Sequence, residues 1–302
     1  MTRATKGWGQ RVTSVALFLF SALCVAEMAA RLMGFHNTPL YEKHDAFEYR
    51  TVPNQRGRVY LNDYTINSLG MRGDVPDTSG VVVWICGDSV INGGVHCDED
   101  SLAVARVDEK LESALGCTVS TLNISQGSWG PGNSLGFVRH YAQELGQPDA
   151  ILLVLNGQDW QDEMTHCYKG NSNNMPGKRS RLGLLRVWRE LEGDDGSCEA
   201  SFVGKGDTSR PLQAWIDRSK NSGASMAVYL HPSAKEVRTQ IWGEGALEIQ
   251  NFFAPHEVEV FDGMTRMLEA DYRDEIHLSN TGQRNLSKAL SPAVLSMLLP
   301  DE

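Results

Sequence analysis

Apolar and polar positions fall into three regimes along the chain. From 12 to 26 apolar residues run almost unbroken, and a mostly apolar stretch carrying Glu27 and Arg31 continues to Phe35. Residues 36–78 are polar and punctuated by Pro39, Pro53, Gly57, Gly70, Gly73 and Pro76, which predicts irregular structure with short strands. After that, short apolar runs alternate with helical periodicity. The runs at 81–86 (VVVWIC), 119–122 (VSTL), 149–155 (DAILLVL), 224–230 (ASMAVYL) and 258–261 (VEVF) predict five strands, most of them buried on both faces. Helices are predicted over 101–115, with Ser101 as cap or first-turn residue, over 133–145 and over 281–298. Residues 161–222 interrupt the alternation: 166–180 is polar, 182–192 has helical spacing, and 193–210 is loop. This insertion reads as a substrate-facing lid or a surface loop. Strands alternating with helices give an α/β fold with a mostly parallel sheet. In such sheets ligands bind beyond the carboxyl ends of the strands, so the chemistry is sought in those loops.

Arg3, Lys6 and Arg11 precede the first apolar run, placing the N-terminus in the cytoplasm and the remainder across the membrane. Two readings stay open. Residues 1–34 form an uncleaved signal anchor, with the rest periplasmic on a single-pass inner-membrane protein, or a signal peptide that is cleaved to release a secreted protein. In the anchor reading Glu27 and Arg31 sit near the outer interface. Cys24 lacks a lipoprotein context, because Leu23 precedes it.

Composition is that of a globular protein, with 41% hydrophobic and 22% charged residues in 302. A net charge of −10 without a long basic run argues against nucleic acid as a partner. Of six cysteines, Cys24 lies in the apolar segment and Cys86 in a strand. Cys97, Cys117, Cys167 and Cys198 remain for pairing in an oxidising compartment, with Cys167–Cys198 weakly preferred. No metal-ligand spacing is present, so neither a metal nor a cofactor is expected.

Three loops after predicted strands carry suitable chemistry. Gly87-Asp88-Ser89 puts a hydroxyl at the mouth of the sheet, with Asp88 placed to cap the next helix or hold the turn. Asp274 and His277, three apart before the last helix, supply a general base and the carboxylate that orients it. The loops 123–133 (NISQGSWGPGN) and 156–160 (NGQDW) offer backbone N–H groups and side-chain amides of the kind that hold an oxyanion. Trp129 and Trp160 flank this region and either stack on a sugar ring or pack on the domain. Asp159 reads as a structural hydrogen-bonding residue. His96, His166 and His231 read as surface or turn histidines, with His231 the one that follows a strand.

The order of these blocks resembles the SGNH (GDSL-type) hydrolase family: GDS at Gly87–Ser89, a glycine loop over 123–132, GxND-like Asn156-Gly157-Gln158-Asp159, and DxxH at Asp274–His277. The segment 66–73 (INSLGMRG) is similar to one preceding the GDS block in anchored bacterial members. The resemblance covers about 60–300. It implies a three-layer, flavodoxin-like SGNH-hydrolase fold over 79–302 with a mostly parallel five-stranded sheet, behind a lead-in at 35–78. It further implies Ser89 as nucleophile, His277 as base and Asp274 as its orienting acid. The implied oxyanion donors are the backbone of Ser89, Gly130 (alternatively Gly127) and Gln158 (alternatively Asn156). Gln158 departs from the family asparagine by one methylene. The implied activity is hydrolysis of an ester, chosen here as O-acetyl, on an extracytoplasmic glycan. Acetyl transfer to an exported polysaccharide, a non-catalytic glycan-binding or assembly role, and a lipid ester substrate are the alternatives. The oligomeric state is not set by the sequence.

Overall fold

The computed structural model describes residues 3–75, 77–162, 164, 172, 175–193 and 208–299. In chain order, helix α1 (Arg3–Leu32) leads to two antiparallel hairpins, β1 (Tyr41–His44) with β2 (Glu48–Thr51) and β3 (Gln55–Val59) with β4 (Asn62–Ile66). There follow β5 (Val81–Gly87), α2 (Ser89–Asn92), α3 (Ala103–Leu115), β6 (Val119–Ser125), α4 (Pro131–His140), β7 (Ala150–Leu155), α5 (Gly183–Glu192), α6 (Ser209–Ser222), β8 (Ser225–Leu230), α7 (Ala234–Thr239), α8 (Glu244–Phe253), β9 (Glu259–Asp262) and α9 (Asn280–Leu298). The last five strands make one sheet in the order β6-β5-β7-β8-β9, every pairing parallel. The fold is therefore α/β, three-layered and flavodoxin-like in strand order.

The apolar runs are continuous because each strand is covered twice. Trp84, Cys86, Ile151, Leu153, Val228 and Leu230 pack under α4, α6 and α8, through Phe137, Trp215, Ile249 and Phe253. Val83, Ile85, Leu152, Val154 and Tyr229 face the other way, onto α3 and α9 through Val104, Val107, Leu286, Leu290 and Val294. Alternate residues thus serve opposite cores, the period-two geometry of a strand.

Three readings are corrected. Ser101 does not cap α3; the side chain of Gln283, on α9, accepts the Ala103 N–H at 3.0 Å instead. Residues 209–222 belong to no insertion: Leu212, Trp215 and Ile216 are buried, and α6 is the crossover helix that parallel β7 and β8 require. Helices α7 and α8 fill a stretch assigned no element from the sequence. Cys86 and Cys97 are buried and Cys24 and Cys117 exposed, all four free. Cys167, Cys198 and His166 lie outside the described residues.

The lead-in is packed into the domain. Phe47 is fully buried against Trp129 and Phe137, with ring centroids at 5.6 and 5.1 Å. Arg72, almost wholly buried, donates to the carbonyls of Asn92, Gly94, Cys97 and Asp63 and pairs with Glu99 at 3.0 Å. A planar guanidinium with five donors suits such a cluster of carbonyls. It fixes the segment that follows α2.

Candidate active site

Strand β5 ends at Gly87 and the chain turns at once into α2. Asp88 is the N-cap, its carboxylate accepting the Val90 N–H at 2.8 Å. Ser89 is the first helical residue. Gly93 closes the turn at φ 70°, a left-handed conformation that favours glycine. Asn92 donates its side-chain amide to the Ser125 carbonyl (3.0 Å) and Asn123 donates to that of Ile91 (3.3 Å), so α2 is lashed to β6.

Ser89, His277 and Asp274 meet in one line. His277 Nε2 lies 3.0 Å from Ser89 Oγ, and His277 Nδ1 lies 2.9 Å from each Asp274 oxygen. Asp274 Oδ1 also accepts the N–H groups of His277 (2.8 Å) and Ile276 (3.1 Å). Burial pushes the Asp274 carboxyl up, but those amides and the His277 ring outweigh it and hold it below its ordinary value. The Arg273 N–H to His277 carbonyl bond (2.9 Å) and the Ser279 hydroxyl capping α9 fix the loop.

The candidate oxyanion donors separate in the structure. The Gly130 N–H is given to Asn133 Oδ1 at 3.0 Å, because Gly130 caps α4 with Pro131 in its first turn. Gly130 is therefore spent on the helix terminus and corrected out of the set. Gly127 is the remaining loop glycine. Gly87 pairs with Ser125, so Ser89 and Gly127 each stand two residues beyond paired positions on adjacent strands. Among the described residues neither the Ser89 nor the Gly127 N–H has a protein acceptor. Tyr49, which the sequence reading missed, donates its hydroxyl to the Gly127 carbonyl at 2.5 Å, while Gln126 reaches Thr51 and Gly70. The lead-in hairpin thus braces the loop. Gln158 is exposed, with no bond from its side chain among the described residues, while Asn156 is buried and gives its amide to Asp88 at 3.1 Å. Gln158 is thus an amide left open, while Asn156 commits one of its two amide protons to Asp88.

Trp129 is the second correction. It is 1% exposed, and its indole N–H donates to the Tyr49 carbonyl at 3.1 Å, so it cannot stack on a sugar. Trp160 is half-buried, against Phe252 at 6.1 Å. His96 is exposed and stacks on Tyr60 (4.7 Å), where partial desolvation and then the Arg273 charge lower it to about 4. His231 is no surface residue but wholly buried, lowered by that burial to about 3.

Behind the nucleophile sits an acidic cluster. Asp159 accepts the Asn156 N–H at 2.7 Å and is raised well above the carboxylate range, first by burial and then by Asp88. Burial and the nearby Asp88 and Glu48 raise Asp162 to about 6. A cavity of about 640 Å³ opens between α4 and α6, lined by Leu135, Arg139, His140, Asp162, Arg210 and Pro211; it does not include Ser89 or His277.

No protein-family model and no curated protein matches the chain. Among solved structures it is similar to a lipase/acylhydrolase from Enterococcus faecalis, at 15% identity over 74% of this chain and 99% of that one, with a TM-score of 0.43. It is similar also to a carbohydrate acetylesterase family member from Sinorhizobium meliloti (13% identity, 72% and 99% coverage, TM-score 0.41) and to TesA (14%, 72% and 99%, 0.46).

Proposed function

We propose that the chain is a serine ester hydrolase of the SGNH type. The observation that carries this reading is the unbroken line from Ser89 Oγ through His277 to Asp274. A serine hydroxyl is a weak nucleophile until a base takes its proton. His277, with its Nδ1 proton directed at Asp274, presents the Nε2 lone pair to Ser89. As Oγ attacks the ester carbonyl, Nε2 accepts the hydroxyl proton and Asp274 stabilises the imidazolium. The carbonyl oxygen becomes an oxyanion held by the N–H groups of Ser89 and Gly127, with the Gln158 amide as side-chain donor. Collapse expels the alcohol, which takes the proton from Nε2, and leaves acyl-Ser89. Water, deprotonated by His277, then attacks the acyl carbon, and the acid leaves with Ser89 reprotonated. These steps need no metal or cofactor.

The preferred substrate is an O-acetyl ester of an extracytoplasmic glycan. The long apolar N-terminal helix supports the compartment, the ordered sequence blocks support the chemistry, and Trp160 offers a partly exposed ring in the loop after β7. The test is acetate release from acetylated polysaccharides by the full chain in detergent, beside Ser89→Ala. Release that disappears in the variant is expected. Acetate appearing only as a new ester on an added glycan would make the chain a transferase; neither reaction on any acetylated glycan would overturn the assignment.

A further inference from the structure

Helix α1 is long and apolar enough over Trp8–Leu32 to cross a membrane, yet it carries Glu27 and Arg31 near its far end. Both charges are used on α5. The Glu27 carboxylate accepts the N–H groups of Gly183 and Leu184, each at 2.9 Å, satisfying two of the open donors at the start of α5. Arg31 donates to Glu27 at 2.6 Å and to the Arg181 carbonyl at 2.7 Å. Ala30 is buried where Gly183 meets it; a Cβ on Gly183 would lie 2.8 Å from that of Ala30. Helix α5 is therefore joined to the outer end of α1 by a cap, an ion pair and a close backbone approach.

The helix held there buries a charged side chain and exposes large apolar ones. Arg186 is 8% exposed and pairs with Glu190 at 3.0 Å, and Glu190 accepts the Tyr60 hydroxyl at 2.9 Å. On its outer side Leu185 (36%), Trp188 (54%) and Leu191 (81%) are exposed beside Arg189 and Glu192, with Leu182 (51%) exposed at the N-cap, while Leu184 and Val187 are partly buried. A helix at the surface of a soluble domain does the reverse. Large apolar side chains exposed together beside an apolar anchor mark a non-aqueous neighbour. Lys178 and Arg181, both exposed, lie just before α5, as cations do where a helix meets phosphate headgroups.

We propose that α5 is an interfacial helix lying in the outer headgroup layer of the membrane that α1 crosses. Leu185, Trp188 and Leu191 enter the acyl boundary, and Lys178 and Arg181 face lipid phosphates. This rests on the reading of α1 as a retained anchor. It also accounts for the length of the apolar run. Residues 12–26 rise only about 22 Å as a helix, against a hydrocarbon core of about 30 Å. Glu27 and Arg31 reach the boundary already neutralised by each other and by α5. The inner face of α5 leads through Glu190 to Tyr60 and, by stacking, to His96.

The test is depth-dependent quenching of single tryptophans in the full chain, reconstituted into phosphatidylcholine–phosphatidylglycerol vesicles brominated near the top of the acyl chains. Emission lost between Trp8→Phe and the Trp8→Phe/Trp188→Phe double variant belongs to Trp188. Emission lost between Trp188→Phe and the same double variant belongs to Trp8. The proposal expects Trp188 emission to fall about twofold in brominated over plain vesicles, with Trp8 quenched as well. Trp8 quenched with Trp188 unaffected would overturn the interfacial helix and leave the anchor standing. Neither quenched would remove the anchor and the proposal together. Trp188 shielded in plain detergent only as protein concentration rises would overturn the proposal and assign these apolar side chains to a second copy of the chain.

Discussion

Replacing Asp274 with asparagine separates orientation from mere proximity. Oδ1 accepts the Ile276 and His277 N–H groups at 3.1 and 2.8 Å, and an asparagine carbonyl can keep both bonds. The amide nitrogen then takes the place of Oδ2, 2.9 Å from His277 Nδ1, and presents an N–H to the ring, while Oδ1, also 2.9 Å from Nδ1, is already shared between two backbone N–H groups. The imidazole responds by moving its proton to Nε2, so that it faces Ser89 Oγ as a donor at 3.0 Å. A base turned into a donor costs about ten-thousandfold in kcat, or about 5.4 kcal/mol of transition-state stabilisation. KM should change little, because the side chain touches the histidine and not the ester. The assay is aryl acetate hydrolysis by parent and Asp274→Asn, with circular dichroism to show that both are folded. A folded variant that loses less than about tenfold would refute the reasoning. In the parent Asp274 is held below its ordinary value. Its stabilising contribution is therefore present above the unfolded carboxylate pKa and is lost only as pH falls through the lowered one.

The two loop glycines should answer differently to alanine. A Cβ at Gly130 would lie 2.7 Å from the Asp162 carbonyl oxygen and should cost about 1–3 kcal/mol in urea unfolding. A Cβ at Gly127 meets nothing within 4 Å, so stability should hold to within about 0.5 kcal/mol. Trp129→Phe should lower stability by about 1–2 kcal/mol through the lost bond to Tyr49, while KM for any glycan ester stays at the parental value. His231→Phe should flatten the acid limb of stability. The native histidine titrates near 3 against an ordinary 6.5, so the unfolded chain takes its proton first as pH falls. Stability is full above pH 6.5 and declines below it, by up to about 1.4 kcal/mol per pH unit. The phenylalanine variant should lack that slope in unfolding measured from pH 7 to 4.

The strands were legible because burial on both faces leaves continuous apolar runs, and 81–86 and 149–155 announce themselves against polar flanks. Ser89 and the Asp274–His277 pair were legible because they stand straight after, or just before, well-marked elements. The choice between Gly127 and Gly130 was harder, since a loop glycine looks the same whether its N–H is free or spent. The signal was present in Gly130-Pro131-Gly132-Asn133, where proline in the first turn and asparagine two residues later mark a helix start. Trp129 lies next to the site in sequence, but its burial comes from Phe47 and Tyr49, some eighty residues away. Tyr49 itself was invisible for the same reason: its partner, Gly127, is fixed by tertiary packing. Helix α6 was hidden because Trp215 and Ile216 stand among charged residues, so its short apolar face did not break the polar run. Glu27 could be placed at the end of the apolar segment, but nothing local to it indicates that it caps a helix 156 residues away.

The central claim is that His277 makes Ser89 a nucleophile, and covalent labelling tests it most directly. The full chain in detergent is treated with a fluorophosphonate, digested, and analysed by mass spectrometry, beside folded His277→Ala. The account predicts one adduct, on the peptide carrying Ser89, formed rapidly in the parent and almost not at all in the variant. A folded parent that takes no label at Ser89, or takes it equally fast without His277, would contradict it.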